Sequence, residues 1–369
     1  MADRDEETVL SRSWGCPESL ASGKMKEVKI GIIGCGGIAQ AAHIPNYQKL
    51  PQAEIVACCD IIKGKAEEAA EKFNIPRIFT DHRELLEIEE VDAVSVCTPN
   101  FAHMRPTVDA LRQGKHVLVE KPMAMNAEEA QAMVDASVKS GRKLMIGLNY
   151  RWRADVQALK RFVDAGELGE IYHAKARCLR RRGIPAWGVF TQKDKQGGGP
   201  LVDLGVHVMD SAMYLMGFPE PKSVSGATYT KFGKRKGLVG LMGQWDPEKF
   251  TVEDYALGLI RFENGTTMYL EASFAANLEK SIFNFDLLGT EGGCSLDPPK
   301  IFTERNRTLI DSSPVYLKKA NTHEIEIEKF VNCIIEDEEP PVTGGQGLLL
   351  QRIMDAIYRS AELGREVTV

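Results

Sequence analysis

The chain has 369 residues, 43% of them hydrophobic and 27% charged, a balance that fits a globular protein of two domains and excludes a disordered one. A formal net charge of −6 gives no general attraction to nucleic acid or to an anionic membrane surface. No apolar run approaches the roughly 18 residues a membrane span needs, and the eight cysteines lack C-x-x-C pairs. They read as reduced core residues of a cytoplasmic protein, not as a disulfide frame or a metal site.

Residues 1–26 carry acids at Asp3, Asp5, Glu6 and Glu7 and no apolar stretch of the secretory kind. They are expected to form a disordered leader, or an added start ahead of Met25. Residues 27–149 then alternate short apolar strands with amphipathic helices, the pattern of a doubly wound parallel α/β sheet. The first strand, Val28 to Ile33, runs directly into Gly34-Cys35-Gly36-Gly37-Ile38-Ala39 and a helix. This is a dinucleotide-binding turn: Gly34 permits the bend, Gly36 admits a pyrophosphate, Gly37 and Ile38 open the helix, and Ala39 keeps helix and strand close. Phosphates would rest on the free N–H groups of the helix start. A second strand, Glu54 to Cys59, ends in Asp60, where a carboxylate can bind both hydroxyls of an adenosine ribose. That acid would repel a 2′-phosphate, so NAD is favoured, while Lys63 and Lys65 leave NADP possible.

Further strands are expected at Ile78-Phe79, at Ala93 to Cys97 ending in Thr98-Pro99-Asn100, at His116 to Val119 ending in Glu120-Lys121-Pro122, and at Lys143 to Gly147. Ligands of such sheets gather beyond the carboxyl ends of strands, so Thr98, Pro99, Asn100, His103, Glu120 and Lys121 complete the expected cofactor and reaction site. Residues 150–369 change character. One helix at about 154–165 precedes strand-like segments at 172–179, 223–230, 256–262, 266–274 and 281–288, with a last amphipathic helix at about 347–363. This reads as an α+β domain on a largely antiparallel sheet. Within it, Gly197-Gly198-Gly199-Pro200 opens a helix that is apolar nearly all round. Steps of about 100° per residue place Asp203, His207, Asp210 and Tyr214 on its one polar stripe. Buried ionisable groups need partners or a task. Tyr150, Arg151 and Trp152 at the domain junction, and Trp187 in a Gly/Pro-rich loop, are candidate substrate contacts. One arginine of Arg180-Arg181-Arg182 is a further candidate for an anionic or hydroxyl-rich substrate.

The glycine turn at 34–39, Cys97-Thr98-Pro99-Asn100 with His103, Glu120-Lys121-Pro122, the triple-glycine helix with Asp203 and His207, and the closing Ala356-Ile357-Tyr358-Arg359-Ser360-Ala361 together resemble the Gfo/Idh/MocA oxidoreductases. The resemblance covers residues 27–369. It implies a Rossmann domain followed by an open-faced sheet used for dimer or tetramer contacts, and an active site lined by Lys121, Asp203 and His207. His207 would take the hydroxyl proton of a sugar, anhydrosugar or inositol, Lys121 would stabilise the charge developing on that oxygen, and Asp203 would orient substrate or imidazole. Tyr150, Arg151 and Trp187 complete the expected substrate contacts. Related activities remain open, either glycoside processing through a transient keto-sugar or a silent sensor that binds NAD and sugar.

Overall fold

The computed structural model describes residues 27–369; the leader expected at 1–26 lies outside them. Two sheets organise the chain. The first is fully parallel and contains β1 (Val28–Ile33), β2 (Ala53–Cys59), β3 (Ile78–Phe79), β4 (Ala93–Val96), β5 (His116–Glu120) and β6 (Leu144–Gly147) in the order β3-β2-β1-β4-β5-β6. Every residue of β4, β5 and β6 is buried, as expected of strands covered on both faces. The strand order reverses between β1 and β4, so a crevice opens beyond their carboxyl ends.

The second sheet has nine strands in the order β14-β13-β12-β11-β7-β10-β9-β8-β15. Its centre is β7 (Ile171–Leu179), with β8 (Pro221–Tyr229), β9 (Tyr255–Phe262) and β10 (Thr267–Ser273) to one side and β11 (Ile282–Gly289) to the other. Only β7 and β10 pair in parallel; the other neighbours are antiparallel. Burial alternates along β9 and β10, with Ala256, Ile260, Met268 and Leu270 inward and Tyr255, Leu259 and Tyr269 on the opposite face. The helical segment 201–216 and the helix Gly344–Leu363 lie on the inward face. No described helix is long and apolar enough to cross a membrane.

Four departures from the sequence reading affect the site. The helix after Pro200 is not α-helical from its start: Leu201–Gly205 is a π turn, and the α-helix is Val206–Met216, closed by Gly217 at φ +77°. The polar stripe is therefore not one regular line. Beyond β11 the sheet continues through β12 (Gly292–Ser295), β13 (Lys300–Arg305) and β14 (Thr308–Ser312), with β15 (Val367–Thr368) at the other edge; these strands are short and largely polar and escaped the pattern. An unanticipated helix, Thr322–Ile335, packs on Ile44–Tyr47 and on the turn Asn149–Trp152. The last helix begins three residues earlier than expected, at Gly344, because Thr343 and Gln346 form a reciprocal capping box ahead of it.

Candidate active site

The glycine turn sits at the crevice. Gly34 has φ +93°, and a Cβ there would lie 2.8 Å from the backbone of Cys97 and Thr98, so only glycine allows β1 and β4 to end so close together. A Cβ on Gly36 or Gly37 would meet nothing within 4 Å; the open space faces a groove of about 510 Å³ lined by Gly34, Gly36, Gly37, Asp60, Thr98 and Pro99 among others. Asp60 is held by two backbone donors, Cys35 N–H at 2.9 Å and Ile62 N–H at 2.9 Å. Ile61 and Lys65 stand at the groove, whereas Lys63 pairs with Glu67 at 3.0 Å. Ile38 is exposed and Ala39 fully buried against the strand. Ala39–His43 is itself a π turn, so both helices that meet the site begin with the wider winding that recurs at functional positions. These residues suit a dinucleotide: one groove brings together the open glycines of the turn and the Asp60 carboxylate.

Lys121 follows β5 and reaches across to the second domain. Its Nζ donates to Asp203 Oδ1 at 2.9 Å and to Asp203 O at 3.2 Å. Burial works against the lysine charge, but the Asp203 carboxylate more than offsets it and holds the pKa above the ordinary lysine value. His207, one turn beyond Asp203, is 8% exposed and stacks on Tyr150 with ring centroids 4.1 Å apart. Its Nδ1 has no hydrogen-bond partner among the described residues. Burial, and then the Lys121 cation, push its pKa well below the ordinary histidine range, so the imidazole is neutral near pH 7. Tyr150 and His207 line a cavity of about 400 Å³, joined by Arg153, Arg180, Phe283 and Asp297.

Several expected contacts fall elsewhere. Arg151 is fully buried: its Nε and Nη2 grip Asp210, Nη2 at 2.6 Å, and its Nη1 donates to Pro341 O and Gln346 Oε1. With no exposed surface it cannot touch a substrate; it locks the helix carrying His207 to the domain junction. His103 is buried, with Nδ1 2.8 Å from Pro122 O and Nε2 2.8 Å from Thr98 O, so it ties the ends of β4 and β5 together and does not face the groove. Glu120 points inward, away from the groove, to His43. Trp187 is 54% exposed and meets Phe190 edge-on; it does not line the His207 cavity. Trp152 is buried. Thr98 caps its own turn through Oγ1 to Ala102 O, and Asn100 Nδ2 donates across the domain junction to Gln196 O at 3.1 Å. Of the three consecutive arginines, Arg180 lines the cavity, while Arg181 and Arg182 bond loop carbonyls of Glu279 and Ala276. Sequence reasoning missed Arg153, Phe283 and Asp297, which reach the cavity from three separate elements. Among the described residues, no group of three His, Cys, Asp or Glu could hold a metal ion.

A buried carboxylate supports the triple-glycine segment. Glu253 accepts from Gly199 N–H at 2.9 Å and Leu201 N–H at 3.2 Å, and the Tyr358 hydroxyl donates to it at 2.9 Å. It caps the helix start that presents Asp203 and His207.

Residues 28–148 match the oxidoreductase family with an NAD-binding Rossmann fold, and residues 156–295 match the GFO/IDH/MocA C-terminal domain. The chain belongs to the Gfo/Idh/MocA oxidoreductases. It is 40% identical to D-glucoside 3-dehydrogenase of Escherichia coli K12 over 341 residues, covering 92% of this chain and 97% of that one. Its identity to the NAD(+)-linked scyllo-inositol 2-dehydrogenase of Bacillus subtilis strain 168 is 28%, covering 86% and 89%. Levoglucosan dehydrogenase, solved with NADH and levoglucosan, superposes with a TM-score of 0.80 at 25% identity, covering 93% and 99%. The Rossmann half and the largely antiparallel sheet expected from the sequence are the fold of this Gfo/Idh/MocA chain, with one parallel pair in the second sheet.

Proposed function

We propose that this oxidoreductase oxidises a secondary ring hydroxyl of a sugar, glycoside or cyclitol, with residues 27–149 holding the cofactor and residues 150–369 holding the substrate. The observation that carries the reading is a neutral, buried His207 at the wall of a cavity, one turn beyond the Asp203 that pairs with Lys121 across the two domains. The kinship to D-glucoside 3-dehydrogenase and levoglucosan dehydrogenase supports a pyranose substrate. Gly34, Gly36, Gly37 and Asp60 would hold the dinucleotide, the N–H groups of the turn its pyrophosphate and Asp60 its ribose. We favour NAD over NADP, because the Asp60 carboxylate at the groove end would repel a 2′-phosphate.

When bound, the nicotinamide supplies the acceptor for the hydrogen leaving the ring carbon. The chain supplies the rest. His207 accepts the hydroxyl proton, and its neutrality near pH 7 leaves the lone pair free. The Lys121 ammonium stabilises the oxygen as charge builds on it. Asp203 holds Lys121 in place and keeps it charged. Tyr150, stacked on His207, offers a ring edge and a hydroxyl to the sugar. The outward face of the second sheet, with Tyr255, Leu259 and Tyr269 half-buried, supports a homodimer or homotetramer built through that sheet.

The test is turnover against a panel of aldoses, glycosides, anhydrosugars and inositols with NAD or NADP. Reduced nicotinamide should form with one polyol class. Lys121→Ala should lower kcat by about 1,000-fold or more while NAD affinity changes less than about threefold. Retained turnover in that variant would remove Lys121 from the chemistry.

A further inference from the structure

Beneath Lys121 lies a buried polar cluster that the reaction above does not use. Glu120, the last residue of β5, is 7% exposed and makes two bonds in different directions. Its Oε1 is 2.9 Å from His43 Nε2, and its Oε2 accepts the backbone N–H of Lys121 at 3.1 Å. His43 is fully buried and closes the π turn that follows the pyrophosphate-binding glycines. Its other nitrogen, Nδ1, is 3.1 Å from Ser95 Oγ on β4, which in turn is 2.8 Å from the Tyr47 hydroxyl. With an N–H on each nitrogen, the His43 ring donates both ways, to Glu120 and to Ser95. Burial opposes that charge, and the hydrogen-bonded Glu120 carboxylate favours it. Other titratable groups that face the pair are Lys121, Cys97 and His103, with His323 and Glu326 from the helix Thr322–Ile335. Glu326 has no partner for either oxygen among the described residues, and burial drives its carboxyl to the neutral form. It therefore adds no second negative charge beside Glu120.

Glu120 thus connects two parts of the site that share no other direct bond here: the main chain of Lys121 and the helix whose start would bear the cofactor phosphates. A buried charge is costly unless a structural or functional need holds it, and Lys121 stands one peptide away from this one. We propose that the His43–Glu120 pair is a positioning device for the reaction, fixing the Lys121 backbone relative to the cofactor helix so that the ammonium meets the reacting oxygen. His43 and Glu120 touch neither substrate nor cofactor; they act through Lys121. The inference rests on Lys121 acting in the chemistry.

The experiment compares Glu120→Gln, His43→Leu and His43→Gln with the wild-type enzyme and with Lys121→Ala. The measurements are kcat, NAD affinity by calorimetry, folded fraction by circular dichroism, and the isotope effect on kcat with substrate deuterated at the reacting carbon. Glu120→Gln keeps the side-chain shape and should fold. Glu120→Gln and His43→Leu should lower kcat about tenfold or more, the scale of a small misplacement at a reacting centre. NAD affinity should stay within about twofold and the isotope effect should rise as the chemical step becomes limiting. His43→Gln, whose amide can still bond Glu120, should recover most of the loss. Wild-type kcat in folded Glu120→Gln, or a loss that tracks only the folded fraction with an unchanged isotope effect, would overturn the proposal. An active Lys121→Ala would instead overturn the reading of Lys121. An inactive Lys121→Ala beside a fully active Glu120→Gln would overturn this inference alone.

Discussion

The role proposed for His207, proton acceptor, rests on where it sits. Its ring is buried against Tyr150, and Lys121, His323 and Arg180 all disfavour a positive charge on it. The sign of the pH effect follows. A base whose protonated form is destabilised keeps its lone pair as the solution becomes more acidic, so activity should persist below the ordinary histidine pKa of about 6.5. The acid limb of kcat/KM, measured over a pH series, should fall below that value; a limb at or above it would contradict a buried neutral base. Arg151 makes the opposite point about residues. Beside Tyr150 in the sequence it looked like a second substrate contact. Yet the short 3₁₀ turn Asn149–Trp152 leaves Tyr150 at the cavity and sends Arg151 into the core to meet Asp210. Asp210 on an apolar helix signalled the need for a buried cation, but sequence alone could not say which cation crosses 59 positions to reach it.

At the scale of elements, the site depends on how the triple glycine leads into the helix that presents Asp203 and His207. A Cβ on Gly199 would stand 2.2 Å from the Glu253 carbonyl oxygen, and one on Gly198 1.9 Å from the Tyr358 hydroxyl. The glycines are there for close approach, and Gly197 alone takes a positive φ, +81°. Gly199→Ala should therefore cost at least about 2 kcal/mol of stability by overpacking and lower kcat by moving Asp203. Chemical denaturation together with kinetics checks it, and an unchanged midpoint and kcat would contradict the packing described. The glycine turn at 34–39 and the acid at Asp60 were legible from sequence because strand, turn, helix and acid follow one another locally. The helix Thr322–Ile335 was missed although Asn321 accepts from Glu324 N–H as an N-cap, a signal obscured by the polar stretch ahead of it. The Leu201–Gly205 π turn had no signal, since apolar residues fill both windings equally well.

Across the whole molecule, the two sheets meet at a seam held by Lys121–Asp203 and Asn100–Gln196, with the helix Gly344–Leu363 running from one sheet to the other. The expected α/β order and largely antiparallel second sheet were readable from alternating patterns, whereas the pairings across the seam join residues 82 and 96 positions apart and no local pattern encodes them. The Lys121–Asp203 pair spans the seam between the half that carries the groove and the half that carries the cavity, and the central claim is that hydrogen moves across it from a sugar ring carbon to the nicotinamide. The most direct measurement uses a substrate deuterated at the carbon bearing the reacting hydroxyl, with mass spectrometry of the reduced cofactor. The account predicts one deuterium per reduced nicotinamide, with that labelled product forming about 1,000-fold or more slowly after the Lys121→Ala change. Product that forms without deuterium in the cofactor would contradict it.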